Sequence, residues 1–410
     1  MFKFLHAADI HLDSPLKQLA NYEGAPVEAC RLATRHALEN LVRLAIDEKV
    51  NFVVIVGDLT DGDWRDYQSA LFFGNQMLRL RDSGIKVYLI RGNHDAASKM
   101  TRELRLPENA VFLSDKKPET VVIDDLGVAI HGQGYASQNV TENLTGNYPK
   151  PVSGLFNLGL LHTCAEVKDG SHERYAPCTV DDLKRISYQY WALGHIHKRE
   201  VLHPGEPFIA FSGNIQGRHA RETGEKGCLL VTVDDAHQVT VEPRWLHVMR
   251  WEVHSLDVAG AADVDDVLER FRNSLGQSLQ EMDESNFALR IELTGPCPAH
   301  NTIAARTNSF LNEIRQAATD IGDGRLWVEK VIVNTKAQLT RADLDAEGPL
   351  AELDQLIKEY QNDPQRLESL RQKELEDLLK KIDSEIADDL NLQDILPQVG
   401  PLLLYRLNSR

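Results

Sequence analysis

Three short apolar runs near the N-terminus, residues 2–8, 51–57 and 86–91, are separated by amphipathic stretches at 27–48 and 66–83. The runs are rich in β-branched and aromatic residues and too short for helices, whereas the stretches between them are long enough to be helical. A strand–helix–strand–helix–strand opening calls for parallel strands joined by right-handed crossovers, because the chain returns to the same sheet edge only over its face. From about residue 111 the pattern changes to strands with few helices: 121–125, 128–131, 157–162, 208–212, 228–233 and 239–245. Two packed sheets flanked by helices accommodate both halves.

At 410 residues the chain exceeds one ordinary core and is expected to form about two to three domains. The first spans 1–248. A second, small α/β domain is expected at 249–337. There Val264, Val267, Leu268, Phe271 and Leu275 keep helical spacing, and Phe287, Leu289, Ile291 and Leu293 alternate as in a half-buried strand. A further helix at 302–319 and a strand at 326–333 complete a βαβαβ unit. The remainder, 338–410, reads as helical: Leu350, Leu353, Ile357 and Tyr360 mark one helix ending near Asp363-Pro364, and Leu375, Leu379, Ile382 and Ile386 a second. These helices either fold back on the body or form a docking hairpin for another protein's helices. Leu402, Leu403, Leu404 and Tyr405 are too apolar to be left in water.

The formal charge balance, 45 − 62 = −17, counts against a surface coated in phosphate-binding positive charge. Nucleic acid would have to meet a local basic patch or a metal. Cys30, Cys164, Cys178, Cys228 and Cys297 form no CxxC pair and are odd in number, which argues for buried thiols in a reducing compartment. With neither a signal-like apolar run at the N-terminus nor a membrane-length one elsewhere, a cytoplasmic protein is expected.

Polar motifs recur where strands should end: Asp9-Ile10-His11, Gly57-Asp58, Gly92-Asn93-His94-Asp95, His162, and Gly194-His195-Ile196-His197. Loops at strand ends are where such folds place their sites. Two divalent cations roughly 3.5–4 Å apart need a bridging carboxylate and a shell fixed by the fold. Asp58, leaving the most apolar strand, is the natural bridge; Asp9, His11 and His197 would complete one site, and Asn93, His162 and His195 the other. A shell mixing imidazole, carboxylate and amide suits manganese, iron or zinc better than calcium. Each motif alone is weak, but together and in this order they point to a metal centre.

The order DxH, GD, GNHD, H, GHxH resembles the calcineurin-like metallophosphoesterases. Within them, AADIHLDSPL, YWALGHIHKRE and SGNIQGRHARETGEKG look like the DNA-repair exonuclease branch, of the YhaO type and related to the SbcD nucleases. The likeness rests on specific motifs over the first 245 residues and on layout thereafter. It implies a four-layer α-β-β-α sandwich, a small capping domain, and a C-terminal helical segment that binds an SbcC-like ATPase. It also implies a homodimer, two divalent metals (manganese foremost), and metal-dependent DNA exonuclease activity through a two-metal-activated hydroxide. The metal ligands carried over by motif are Asp9, His11, Asp58, Asn93, His162, His195 and His197. His94 matches the non-ligand catalytic histidine that assists the leaving group. One departure stands out: three residues after the bridging aspartate the archaeal and eukaryotic nucleases carry a histidine, and this chain has Asp61.

Other polar residues leave choices open. The 216–219 turn, with Gln216, Arg218 and His219, either meets a phosphate or is a plain polar turn. Asp13 could orient His11, His172 and Arg174 could reach substrate from a loop, and His6 and His131 are most simply core or surface residues. No GxxxxGK[ST] sequence occurs, so ATP binding by this chain is not expected. The alternatives to a nuclease are a phosphatase or phosphodiesterase for small or protein substrates, and a mainly regulatory subunit of an ATPase complex.

Overall fold

The computed structural model describes residues 1–14, 26–61, 67–98, 105–165, 175–280, 285–337 and 349–373. The expected helix carrying Leu375 to Ile386, the Leu402–Tyr405 run, and His172 with Arg174 lie outside the described residues. Two compact units are formed. One holds Met1–Glu252 with Glu284–Ala288, and the other begins at Val253.

In the first unit, β1 (Phe2–Ala7), β2 (Phe52–Val56), β3 (Lys86–Ile90) and β4 (Ala110–Phe112) lie side by side and parallel. Helices α1 (Val27–Asp47) and α2 (Tyr67–Asp82) make the first two crossovers, as the opening pattern requires. The second sheet holds β5 (Glu119–Ile123), β6 (Val128–Gln133), β7 (Phe156–His162), β8 (Tyr190–Gly194), β9 (Glu200–His203) and β10 (Phe208–Phe211), in the order β5-β6-β7-β8-β10-β9. β11 (Gly227–Val233) and β12 (Val239–Trp245) return to the first sheet, antiparallel beside β1.

Every residue of β2 and of β7 is buried, because each strand is covered on both faces. Between the sheets Phe4 and Phe52 stack at 5.0 Å among Val54, Val56, Ile130, Leu158 and Leu160. On the outer face of the first sheet Leu5, Val53, Ile55 and Leu89 pack against Leu38, Leu41, Phe73 and Met77 of the two helices. The outer face of the second sheet buries Trp191, Leu193 and Phe211 under Tyr135, Tyr148 and Tyr188. The layer there is thin: among the described residues its helices are the short α4 (Val180–Lys184) and a 3-10 turn at Leu144–Asn147. This is the expected mixed α/β architecture of two sheets flanked by helices. The strand expected at 121–125 is displaced, running from Glu119 to Ile123, where a 3-10 turn closes on left-handed Gly127.

The third sheet holds β13 (Met249–Asp257), β14 (Asn286–Cys297) and β15 (Leu326–Ala337), and in the second unit α5 (Val264–Gln280) and α7 (Thr307–Gly322) pack on its residues from Val253 and Leu289 onward. The helix expected at 302–319 is broken at Arg306, leaving α6 (His300–Ala305) before α7. The Thr307 hydroxyl donates to the carbonyls of Ile303 and Ala304 at that break. Helices α8 (Pro349–Asn362) and α9 (Pro364–Lys373) meet at Asp363, whose carboxylate accepts from the amides of Gln365 and Arg366. Among the described residues no helix is long and apolar enough to cross a membrane.

Candidate metal centre

The polar motifs leave the ends of five strands. Asp9 and His11 follow β1, Asp58 follows β2, Asn93 and His94 open α3 (Asn93–Ala97) after β3, His162 ends β7, and His195 and His197 follow β8. β1, β2 and β3 are parallel neighbours in one sheet, and β7 and β8 in the other, so all these ends face the same edge of the sandwich. Backbone bonds knit the loops: Asp9 and His11 donate to the carbonyls of Gly57 and Asp58 at 3.1 and 3.0 Å, and His195 N donates to the Asp9 carboxylate at 3.1 Å.

The approach is close enough to dictate glycine. A Cβ on Gly194 would lie 1.9 Å from the Val56 carbonyl oxygen, and one on Gly57, whose φ is +84°, would lie 2.2 Å from His162 Nδ1. Asp9, His11, Asp58 and His195 themselves hold positive φ (52°, 46°, 51° and 100°). Strained backbone at four of the seven predicted ligands points to a site maintained for chemistry rather than for packing.

All seven predicted ligand residues come together here. Asp58 Oδ1 accepts from the His94 amide at 3.0 Å, which leaves Oδ2 3.4 Å from His162 Nε2 and 3.9 Å from His11 Nε2. His11 Nε2 and His197 Nε2 are 3.1 Å apart, and His162 Nε2 is 3.0 Å from Asn93 Oδ1. Two groups could each hold a cation, Asp9–His11–His197 and Asp58–His162–His195, and a third set, His11–Asp61–His94, lies beside them.

The donor chemistry fits metal. His162 gives its Nδ1 proton to the Val56 carbonyl at 3.0 Å, so its Nε2 lone pair points at two oxygens, those of Asn93 and Asp58. His197 gives its Nδ1 proton to Glu222 Oε1 at 2.6 Å, and its Nε2 then confronts that of His11. At His162 an acceptor aimed at acceptors requires a proton or a cation between them. Burial works against charge on His162, yet the Asp58 carboxylate outweighs it and lifts the imidazole pKa to about 9. Burial would raise Asp58, but His162 and His11 hold it well below the usual carboxylate range.

His94 belongs to neither of the first two sets. Its side chain is 39% exposed, and its Nδ1 lies 2.9 Å from Asp61 Oδ1. Burial pulls the imidazole toward neutrality, but Asp61 and Asp58 prevail and raise its pKa. Asp61 also accepts from Ser14 Oγ at 2.6 Å and lies 3.4 Å from Arg218 Nη1.

Several expectations about neighbours are corrected. Asp13 does not orient His11; its carboxylate takes a bidentate pair from Arg35 at 2.7 Å and a bond from Ser69, while Asp61 is the carboxylate near His11 Nδ1 at 3.7 Å. Gln216 is buried and holds the backbone at Val248 and Met249, not a substrate face. For His6 and His131 the core reading holds: they are buried and bonded to Tyr190 and Leu193 and to Thr120 and Asn157 respectively. Two carboxylates had no assigned part. Buried Asp95 accepts from the amides of Leu59, Thr60 and Gly92, strapping two ligand loops together. Buried Glu222 accepts from His197, Arg218 and Asn214. The only hint of Glu222 in the sequence is a lone acid inside the basic run RHARE.

Comparison with known proteins agrees with this geometry. The profile for calcineurin-like phosphoesterases matches residues 2–199, and that for the middle domain of the metallophosphoesterase YhaO matches 251–336. The uncharacterized metallophosphoesterase YhaO of Bacillus subtilis is 33% identical over 298 residues, 72% of each chain. The DNA double-strand break repair protein Mre11 of Archaeoglobus fulgidus is 26% identical over 311 residues, 65% of this chain and 67% of that one. Its counterpart in Methanocaldococcus jannaschii is 26% identical over 230 residues, 52% and 56% of the two chains. With the motifs at the strand ends, the acceptors aimed at acceptors and a second unit that matches the same kind of protein, the chain belongs to the calcineurin-like metallophosphoesterases, of the YhaO type.

Proposed function

We propose that this hydrolase cleaves phosphodiester bonds of DNA exonucleolytically, with two divalent cations, manganese foremost, held at the strand ends. The observation that carries the reading is Asp58 Oδ2, poised 3.4 Å from His162 Nε2 and 3.9 Å from His11 Nε2 where the strand ends converge. Asp58 would serve both cations, with Asp9, His11 and His197 holding one and Asn93, His162 and His195 the other. When bound, the cations supply Lewis acidity at the phosphoryl oxygens and acidify a water. The chain's own part is to fix that shell and to handle a proton. With Nδ1 engaged by Asp61, His94 presents Nε2 to the departing sugar oxygen and protonates it.

DNA as substrate rests on the likeness to the archaeal double-strand break repair proteins. Cations explain how a chain of net charge −17 meets a polyanion, since they turn a carboxylate pocket into an anion site. On the same likeness we assign a catalytic domain at 1–248, a capping domain at 249–337 and a partner-binding segment at 338–410, with a homodimer working beside an SbcC-like ATPase in cytoplasmic DNA repair.

The test is an end-labelled duplex incubated with purified protein and manganese, with and without the ATPase. Progressive shortening that is abolished in Asp58→Asn is expected. Intact DNA under all these conditions, alongside turnover of an aryl phosphodiester, would reassign the chain to small substrates.

A further inference from the structure

Arg218 lies in the 216–219 turn, and its guanidinium is engaged by carboxylates. Its side chain is 13% exposed. Nη2 donates to Glu222 Oε1 at 3.0 Å, and Nη1 lies 3.4 Å from Asp61 Oδ2. Each of those carboxylates has a second, imidazole partner. Glu222 Oε1 accepts from His197 Nδ1 at 2.6 Å, and Asp61 Oδ1 lies 2.9 Å from His94 Nδ1. One cation therefore stands between the carboxylate behind a metal-site histidine and the carboxylate behind the proton donor.

We propose that Arg218 is a positioning residue that ties the orientation of His94 to that of His197 through the two carboxylates it bridges. The inference rests on the metal-centre reading above but not on DNA as substrate. A planar guanidinium suits the task, because its separate nitrogens engage two carboxylates at fixed angles while an ammonium concentrates its charge at one point. Glu222 is anchored independently: Oε2 accepts from the Arg218 amide at 2.8 Å and from Asn214 Nδ2 at 3.0 Å. Movement of the guanidinium thus falls on Asp61, whose side chain is 22% exposed against 6% for Glu222, and through it on His94. Carboxylates behind ligating histidines fix ring orientation and tautomer, and losing them typically costs about 10- to 100-fold in metal affinity or activity.

The experiment compares the full chain with Arg218→Lys, Arg218→Met and Glu222→Gln. It reads zinc affinity by chelator competition, the His94 ring by nitrogen NMR of histidine-labelled protein, and turnover of an aryl phosphodiester. A positioning role predicts zinc affinity down by about 10- to 100-fold in Glu222→Gln and little changed in Arg218→Met. It also predicts a shifted or broadened His94 signal without substrate, a fall in kcat with KM little changed, and partial rescue in Arg218→Lys. A direct phosphate ligand would instead raise KM and leave the His94 signal untouched, which overturns the proposal. Should Arg218→Met not fold, Arg218→Lys and Glu222→Gln still decide through the His94 signal. Failure of the wild-type chain to bind zinc or manganese would strike the metal-centre reading instead.

Discussion

Nδ1 of His94 lies 2.9 Å from Oδ1 of Asp61, which stands three residues after Asp58. The contact fixes which ring nitrogen is committed and which is free. Asp61→Ala should lower kcat for an aryl phosphodiester by about 10- to 100-fold, a share of the roughly 10²- to 10⁴-fold a positioned proton donor supplies. Asp61→Asn keeps an acceptor for the Nδ1 proton and should lose less. Equal losses in the two variants would mean that charge at this position, not orientation, matters.

Asp95 is the second carboxylate to test. It accepts from three buried amides and from the Thr60 hydroxyl at 3.2 Å, and so joins the loop after β2 to the start of α3. Asp95→Ala strands those donors, each at a cost of about 1–3 kcal/mol. Urea denaturation of the metal-free protein should show a loss of about 3 kcal/mol or more, and metal affinity should fall with it. A change within roughly 0.5 kcal/mol, the range of an ordinary surface substitution, would remove the strut from this account.

The strand ends and the residues gathered there were legible because they depend on local signals. Short β-branched runs stop, and a polar motif with a glycine follows. Gly57 and Gly194 show why the glycines accompany the motifs: His162 and the Val56 carbonyl occupy the space a side chain would need. What was illegible depends on pairings between distant segments. Glu222 reaches His197 across 25 residues and Asp95 reaches Leu59 across 36, and neither partner is implied by spacing. Asp13 misled for the same reason: near His11 in sequence, it is claimed by Arg35 and Ser69. The edge strand Glu200–His203 escaped notice because an exposed edge carries no apolar run; its four residues are exposed or half-buried.

Removal of metal should be visible in stability. The carboxylates of Asp9 and Asp58 are buried among the imidazoles of the site, so a cation that binds only the folded chain stabilises it. At a thousandfold excess over Kd the gain is about 4.1 kcal/mol. Adding a chelator should lower Tm by several degrees, and manganese or zinc should restore it. Asp58→Asn should lose most of this response. A wild-type Tm indifferent to both chelator and metal would contradict the metal centre.

His6, away from the metal site, sets a separate pH dependence. Its Nε2 donates to the Leu193 carbonyl at 3.1 Å, and its Nδ1, also at 3.1 Å, accepts from Tyr190, an arrangement that requires the neutral ring. Burial pushes its pKa down from 6.5 to about 3, the Leu193 carbonyl opposing only in part. Between those values the unfolded chain binds a proton at this residue that the folded chain refuses. The stability that neutral His6 confers is therefore intact above about pH 6.5 and is lost as pH falls toward 3, at up to about 1.4 kcal/mol per pH unit. Denaturant titrations with chelator present, at pH 7, 6 and 5, should show a steeper decline for the wild type than for His6→Gln, which cannot take up the proton. Parallel declines would place the acid sensitivity elsewhere in the chain.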